Sequence, residues 1–173
     1  MELYVPDMYK KNIYAIDYNK LKNNGIKCIL FDLDNTLVPY NEKVPSKKVI
    51  ELFKKLKTLG FNVIIFSNSG KRRLRKFKEI LEVECYYHCR KPSTKKMYEV
   101  LNKYSYNQSE VVIIGDQIMT DVVGGNTVGI TTILTNPMSK KELIFTKFNR
   151  LRERKVIKKL SKADLFYKGK YYG

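Results

Sequence analysis

The sequence has few cysteines, and their spacing shows no disulfide framework. Three cysteines occur among 173 residues, and an odd number without regular spacing excludes the class of small, oxidised, disulfide-built domains. Cys85, His88 and Cys89 lie close enough together for half of a zinc site, but no second cluster completes it. Ordinary buried or surface thiols are the simpler interpretation, and a zinc half-site is the alternative.

Long hydrophobic runs are also missing. The longest ones, such as Cys28 to Phe31 and Val63 to Phe66, are much shorter than the roughly 18 residues that predict a membrane span. The first residues, MELYVPDMYKK, lack the apolar core of a signal peptide. We therefore expect a cytoplasmic protein without a transmembrane segment.

Acidic residues are scarce relative to basic ones. There are 17 acidic and 34 basic residues, and the formal net charge is +17. This excess predicts attraction to polyanions such as nucleic acid, acidic lipid headgroups or phosphorylated substrates. The alternative is that the lysines of a Lys-rich composition are only solvated surface. A hydrophobic fraction of 43% and a charged fraction of 29% exclude disordered and fibrous classes.

Short apolar runs alternate with longer segments of helical period. Strand-like runs cover residues 26–32, 61–67, 84–88, 110–116 and 129–135, and helical patterns cover 45–60, 71–81 and 93–104. Ser46 is a candidate N-cap and Gly60 a candidate terminator of the first of these helices. This alternation predicts an α/β fold in three layers, with a doubly wound, Rossmann-like parallel sheet.

No repeat or linker divides the chain, so we expect a single domain over residues 1–173. Its core would span about residues 26–135, followed by a basic helical segment over about 140–162. The first 24 residues are polar and aromatic without a strong period.

Polar residues follow the predicted strands where each strand ends. They are Asp32 and Asp34, then Ser67 and Asn68, then Lys91, and finally Asp116 and Asp121. Because ligands bind at the carboxyl ends of strands in open α/β sheets, we expect these side chains to converge on one site.

This set of side chains fits phosphoryl transfer through an aspartyl-phosphate. Asp32 and Asp116 offer oxygen ligands of the kind that Mg²⁺ prefers, and one of Asp32 and Asp34 can attack while the other handles the proton. Ser67 and Lys91 would hold the phosphate oxygens. The alternative is that Asp34, Asn35, Thr36 or Asp121 is only a turn-former or helix cap.

The motifs FDLDNTL, Ser67, Lys91 with Pro92, and GDQIMTD resemble, in order, the four motifs of the haloacid dehalogenase-like (HAD) phosphatases. The resemblance covers roughly residues 26–135. It implies that Asp32 is the nucleophile and Asp34 the acid/base, whose backbone carbonyl is also a metal ligand. It further implies that Asp116 is the remaining Mg²⁺ ligand. The residues implied to bind phosphate are Ser67, Asn68 and Lys91, Thr36 is implied to fix the loop, and Asp121 to orient the others.

Many enzymes of this superfamily carry an inserted cap domain, but here the segments after Asp34 and before Lys91 leave no room for one. In detail the motifs are similar to those of subfamily IIIA, in the bacterial branch related to the mitochondrial phosphatidylglycerophosphate phosphatases. That likeness implies removal of phosphate from phosphatidylglycerophosphate to give phosphatidylglycerol, with an anionic phospholipid as partner at the inner face of the membrane.

Two basic clusters flank the predicted site. One is formed by Lys71, Arg72, Arg73, Arg75 and Lys76, and the other by Arg150, Arg152, Arg154, Lys155, Lys158 and Lys159. The second cluster follows apolar residues Ile144, Phe148 and Leu151, which could face a membrane, although packing on the core is favoured. The rival functions are a nucleotide or polynucleotide phosphatase of the same mechanism, and a non-enzymatic RNA- or membrane-binding protein on this scaffold.

Overall fold

A computed structural model describes residues 1–139 and 144–173, with only the backbone of residues 144–147. It contains one parallel sheet of six strands in the order β1-β6-β5-β2-β3-β4. The strands are β1 (Met8–Lys10), β2 (Cys28–Phe31), β3 (Asn62–Phe66), β4 (Glu84–Tyr86), β5 (Val111–Gly115) and β6 (Thr131–Thr135).

Six α-helices accompany this sheet in the described residues. They are α1 (Tyr18–Asn23), α2 (Lys47–Thr58), α3 (Lys71–Leu81), α4 (Lys95–Tyr104), α5 (Val123–Val128) and α6 (Ile144–Lys162), and a π-helical turn at Ile118–Val122 precedes α5. The predicted α/β fold is therefore confirmed. Ser46 caps α2 by accepting a hydrogen bond from the Val49 N–H at 3.3 Å, and Gly60, at φ +91°, follows its end.

The period of two along the strands separates the two faces of the sheet. On one face, Ile29 and Phe31 of β2 belong to a core formed with α1, α2 and α3. On the other face, Cys28 and Leu30 belong to a core formed with α4 and α5. Because both faces are covered by helices, strands β2 and β5 are fully buried and nearly continuously apolar.

The N-terminal segment adds an edge strand that the sequence pattern does not predict. Strand β1 pairs in parallel with β6, and its Tyr9 is buried. Just before it, the Asp7 carboxylate accepts hydrogen bonds from the Thr132 N–H at 2.7 Å and the Thr132 hydroxyl at 3.0 Å. On its outer side, Tyr9 forms an antiparallel bridge with Tyr172. Both ends of the chain therefore pack at the edge of the sheet that β1 forms.

Helix α6 packs through a different face from the expected one. The expectation of core packing through Phe148 and Leu151 is wrong, because these side chains are 64% and 54% exposed. Ile144 is the third residue of this apolar stripe, which consists of Ile144, Phe148 and Leu151, and its side chain lies outside the described part of the structure. The helix instead buries Leu160 and Glu153. The apolar stripe faces outward because the opposite side of α6 faces the polar end of β5.

Candidate active site

The sheet order reverses between β2 and β5. From β2 the chain continues outward to β3 and β4, then returns to place β5 on the other side of β2. At such a reversal the connections leave in opposite directions and open a crevice at the carboxyl ends of the strands. Asp32 follows β2 directly and Asp116 follows β5 directly. Asp32 and Asp116 therefore lie side by side at the floor of this crevice.

Lys91 is the buried cation of the site. Its Nζ atom donates hydrogen bonds to Asp32 Oδ1 and Asp121 Oδ1, each at 2.6 Å, and to the Phe66 carbonyl at 3.0 Å. The contacts of two carboxylates raise the pKa of the Lys91 ammonium even though burial acts against its charge. Lys91 thus stays charged and links the ends of β2, β3 and the turn that follows β5.

The Thr36 hydroxyl lies between the two carboxylates at the strand ends. Its Oγ1 atom is 3.3 Å from Asp32 Oδ2 and 3.2 Å from Asp116 Oδ1. A hydroxyl has a single proton, so it can donate to only one of these oxygens at a time. The Thr36 hydroxyl therefore bridges the gap between the two carboxylates only weakly.

This gap has the properties of a divalent-metal site. Ligand oxygens of Asp32, Asp116 and Asp121 all lie within 4.8 Å of one another, and the three residues are buried. Burial raises the pKa of Asp32 to about 7 and that of Asp116 well above its usual range, and neighbouring carboxylates add to both shifts. The contacts with Lys91 and Arg150 lower these pKa values but do not cancel the rise. A further positive charge would therefore stabilise the ionised carboxylates. Carboxylate oxygens fit Mg²⁺ as ligands.

Asp121 has both carboxylate oxygens occupied by protein groups. Oδ1 contacts Lys91, and Oδ2 accepts from the Gln117 N–H at 3.2 Å and the Thr120 hydroxyl at 3.3 Å. It sits in the π-helical turn, a distortion that is frequent at functional sites. These contacts fix the Asp121 carboxylate in place, and its orienting role stays a prediction.

Gly115 allows Asp121 to approach the end of β5. A Cβ atom at residue 115 would lie 2.2 Å from Asp121 Cγ, which is closer than any non-bonded contact. Glycine is therefore required by packing at this position, because Asp121 could not otherwise reach Lys91.

The Asp34 side chain lies apart from the acidic cluster. Its Oδ2 atom accepts from the Ser69 hydroxyl at 2.6 Å, and its Oδ1 atom contacts Arg73 of α3. The intervening Asn35 adopts a left-handed conformation with φ +64°. Its side-chain oxygen accepts from the Tyr40 N–H, as expected of a turn-former.

Ser67 and Asn68 stand at the end of β3 as predicted. The Ser67 hydroxyl oxygen accepts from the Ser69 N–H at 3.1 Å and is buried. The Asn68 amide accepts from the Lys91 N–H at 2.7 Å and donates to the Lys91 carbonyl at 3.3 Å. Asn68 therefore fixes the backbone of Lys91, and its contact with a substrate phosphate stays a prediction.

Two arginines of the site were not singled out by sequence reasoning. In the sequence Arg73 and Arg150 each belong to a basic cluster, but in the structure Arg73 contacts Asp34 and Arg150 contacts Asp116. The remaining residues of the first cluster, Lys71, Arg72, Arg75 and Lys76, are exposed. The one sequence signal of a buried role is that Arg150 lies three residues before Glu153, a spacing that suits a salt bridge on a helix. Such pairs are common on solvated helices, so the signal is weak.

The cysteines and the histidine do not gather into a metal site in the described part of the chain, where the acidic cluster is the one candidate group. Cys89 is buried with its Sγ atom 3.3 Å from the Tyr86 carbonyl. Burial raises the pKa of its thiol to about 12. This thiol therefore stays protonated at neutral pH and is not a reactive nucleophile.

Comparison with known proteins identifies the family. The family profile described as mitochondrial PGP (phosphatidylglycerophosphate) phosphatase matches residues 1–139. The Bacillus subtilis protein named "Probable phosphatase YqeG" is 37% identical over 161 residues, which cover 93% of this chain and 94% of that protein. The Arabidopsis thaliana phosphatidylglycerophosphate phosphatase 1 is 30% identical over 149 residues, covering 80% of this chain but 42% of that longer protein.

Solved structures share the fold. A phosphatase for D,D-heptose 1.7-bisphosphate from B. bronchiseptica, crystallised with magnesium and phosphate, superposes with a TM-score of 0.53. The match covers 63% of this chain and 80% of that one at 15% sequence identity. The chain belongs to the mitochondrial PGP phosphatase family of HAD-type phosphatases and is a phosphoric monoester hydrolase.

Proposed function

We propose that this protein is a Mg²⁺-dependent phosphatase that acts through an aspartyl-phosphate and converts phosphatidylglycerophosphate to phosphatidylglycerol. The observation that carries the mechanism is the buried group of Asp32, Lys91 and Asp121 beside Asp116, at the reversal point of the sheet. The substrate is suggested by the name of the Arabidopsis relative and of the family.

In the first half-reaction, a carboxylate oxygen of Asp32 attacks the phosphorus and the bond to the leaving oxygen breaks. Asp34 gives the leaving alkoxide a proton. In the second half-reaction, Asp34 takes a proton from a water that attacks the phosphorus, which releases inorganic phosphate and regenerates Asp32. Lys91 and Ser67 would offset charge on the non-bridging oxygens.

Mg²⁺ would be held by side-chain oxygens of Asp32 and Asp116 and by the backbone carbonyl of Asp34. When bound, the ion offsets the repulsion between the nucleophilic carboxylate and the phosphate dianion and stabilises charge in the transition state. Thr36 would orient these carboxylates through its hydroxyl, and Asp121 would act through Lys91, which contacts both Asp121 and Asp32.

The site has no cap over it in the described structure. Residues 35–46 alone connect Asp34 to α2, and α3 is the sole helix between β3 and β4. An enzyme that closes over a small metabolite needs a lid to exclude water. An open crevice instead admits a phosphate that is displayed on a large object, such as the surface of a bilayer.

One face of α6 is suited to contact that surface. It combines the exposed apolar side chains Phe148 and Leu151 with exposed cations Arg152, Lys155 and Lys159. Such a face can lie on anionic headgroups. None of the described helices is long and apolar enough to span a bilayer. We therefore propose peripheral attachment at the cytoplasmic face of the membrane, with the crevice facing the lipid.

The test compares phosphate release from three substrates in the presence of Mg²⁺. These are phosphatidylglycerophosphate in mixed micelles, oligonucleotides with 3′- or 5′-phosphates, and a generic aryl phosphate. Lipid preference by orders of magnitude supports the proposal, whereas oligonucleotide preference of that size would replace it with the polynucleotide phosphatase. Absence of turnover of all three would reject the enzymatic mechanism in favour of a binding protein.

The contribution of α6 is tested separately by the double variant Phe148→Ser with Leu151→Ser. We expect it to retain the aryl phosphatase rate and to lose sedimentation with vesicles that contain anionic phosphatidylglycerol. Sedimentation that is indifferent to the anionic lipid fraction would count against attachment through this face, without bearing on the chemistry.

A further inference from the structure

Helix α6 extends the site with two charged residues, Glu153, which is buried, and Arg150, which is partly buried. Arg150 donates from Nη1 to the Asp116 carbonyl at 2.7 Å, and its Nη2 atom contacts Asp116 Oδ2. The same Nη1 atom is 3.0 Å from Glu153 Oε1, one helical turn further along. Arg150 thus contacts both the main chain and the side chain of one proposed metal ligand.

Glu153 connects this arginine to the turn that carries Asp121. Its Oε2 atom accepts a hydrogen bond from the Ile118 N–H at 3.0 Å, at the start of the π-helical turn. Glu153 is 7% exposed, and burial raises the pKa of its carboxyl despite the contact with Arg150. A buried acid of this kind is costly without a partner, so Glu153 and Arg150 stabilise each other in this position.

The four oxygens of Asp32 and Asp116 divide into two outer and two inner atoms. The outer oxygen of Asp32, Oδ1, contacts Lys91, and the outer oxygen of Asp116, Oδ2, contacts Arg150. Among the described residues, the inner oxygens, Asp32 Oδ2 and Asp116 Oδ1, have the Thr36 hydroxyl as their one hydrogen-bond partner, at 3.3 and 3.2 Å. Each carboxylate therefore has one oxygen fixed by a cation and the other directed to the gap.

The formal charges around the gap are also consistent with one bound divalent cation. Asp32, Asp116, Asp121 and Glu153 carry four formal negative charges, and Lys91 and Arg150 carry two positive ones. A single divalent cation balances the remainder while Arg150 stays in place. On formal charge alone, metal binding does not require displacement of Arg150.

We infer that Arg150, held by Glu153, is a positioning residue that fixes Asp116 so that its inner oxygen faces the metal. Groups that hydrogen-bond a ligating carboxylate set its orientation and commonly change metal affinity by about 10- to 100-fold when removed. This inference rests on the metal site of the proposed function. It makes α6 part of the catalytic centre and not only a surface helix.

The test measures Mn²⁺ binding by electron paramagnetic resonance, with Mn²⁺ as the probe in place of Mg²⁺. We expect Arg150→Gln to raise the dissociation constant by about 10- to 100-fold. Arg150→Lys, which keeps the charge but loses the planar fork, should lie between this variant and the wild type. Arg154→Gln is the matched control, because residue 154 is exposed on the same helix, and it should bind as the wild type does.

An unchanged or tighter Mn²⁺ affinity in Arg150→Gln would overturn the inference, since it would show that the arginine is neutral toward the metal or competes with it. If Arg150→Gln does not fold, as judged by circular dichroism, Glu153→Gln serves in its place. The expected loss for Glu153→Gln is several-fold, and wild-type affinity would overturn the inference equally.

Kinetics with an aryl phosphate give an independent readout. Loss of positioning should raise the Mg²⁺ concentration needed for half-maximal rate and leave most of the kcat at saturating Mg²⁺. The variant Asp116→Asn distinguishes the proposed metal site from the proposed positioning role. If this variant binds Mn²⁺ as tightly as the wild type, the metal site itself is wrong. If it loses most of its Mn²⁺ affinity while Arg150→Gln keeps wild-type affinity, only the positioning role is rejected.

Discussion

Arg73 and Asp34 form an ion pair across the mouth of the crevice. Two nitrogens of Arg73, Nε and Nη2, lie 3.1 and 2.9 Å from the same oxygen, Asp34 Oδ1, and both side chains are 20% exposed. The Ser69 hydroxyl occupies the other oxygen at 2.6 Å. The proposed acid/base is thus held by a residue from the first basic cluster.

Removal of the acid/base should affect the second half-reaction most. In Asp34→Asn no carboxylate can take the proton of the attacking water, so hydrolysis of the aspartyl-phosphate should slow by about 100-fold or more. Rapid-quench kinetics with a good leaving group, which needs little protonation, should then show a burst followed by a slow steady rate. A single slow phase without a burst would contradict this assignment.

Loss of Arg73, which contacts Asp34, should also slow the reaction, but less than loss of Asp34 does. We expect Arg73→Gln to lower kcat by about tenfold, a part of the contribution that general acid–base catalysis makes. Mn²⁺ affinity should be unchanged, because in the proposed site Asp34 would contribute only its backbone carbonyl to the metal. Arg72→Gln, an exposed neighbour on α3, is the control. Equal rates for the two variants would leave Arg73 without a role in the reaction.

The nucleophile should be indispensable. Asp32→Asn keeps the size of the side chain but removes its charge, and we expect phosphate release from an aryl phosphate to fall by about 1,000-fold or more. Addition of EDTA to the wild-type enzyme should produce a comparable loss that Mg²⁺ reverses. Equal rates for wild type and variant would remove the aspartyl-phosphate mechanism.

The raised pKa of Asp32, about 7 against an ordinary value near 3.8, makes stability depend on pH. Between these values the folded state binds more protons than the unfolded state, so this group's contribution is complete below pH 4 and is lost as the pH rises to 7. We expect the urea-unfolding free energy of the metal-free wild type, measured relative to Asp32→Asn, to fall across this window.

Mg²⁺ should reverse that loss, because it binds the ionised carboxylates of the folded state. Its effect on Tm should therefore be larger at pH 7.5 than at pH 5. A difference between wild type and Asp32→Asn that rises with pH, or a Mg²⁺ effect that is larger in acid, would contradict the charge balance described for the site.

Gly115→Ala should disturb the site through packing alone. Its new methyl group would force Asp121 away from β5, which we expect to lower the free energy of unfolding by about 2 kcal/mol and to reduce activity. Gly124→Ala is the matched control, since a Cβ atom there meets the flexible end of Met97 at 3.0 Å. The two are compared by urea unfolding, and similar stabilities would refute the close-packing argument.

The edge strand and the orientation of α6 could not be predicted from local patterns. Strand β1 has three residues, too few to show a period. It is fixed by the contact of Asp7 with Thr132 and by the pairing of Tyr9 with Tyr172, and the partners in each contact are far apart in the sequence. In α6 the apolar residues Phe148 and Leu151 suggested the buried face. The helix faces the other way because Arg150 and Glu153 meet the polar end of β5 and the turn after it.

Local sequence patterns are enough to predict the central strands and the residues at their carboxyl ends. Strand period is a local property, and parallel strands bring Asp32, Ser67 and Asp116 to one edge of the sheet. Lys91 reaches them from the loop that follows β4. The pairing of cations with acids, in contrast, depends on tertiary packing. Arg73 and Arg150 look like surface charge along the chain, because their partners, Asp34 and Asp116, lie 39 and 34 residues away. Contacts between residues this far apart depend on how helices dock against the sheet, which no local pattern encodes.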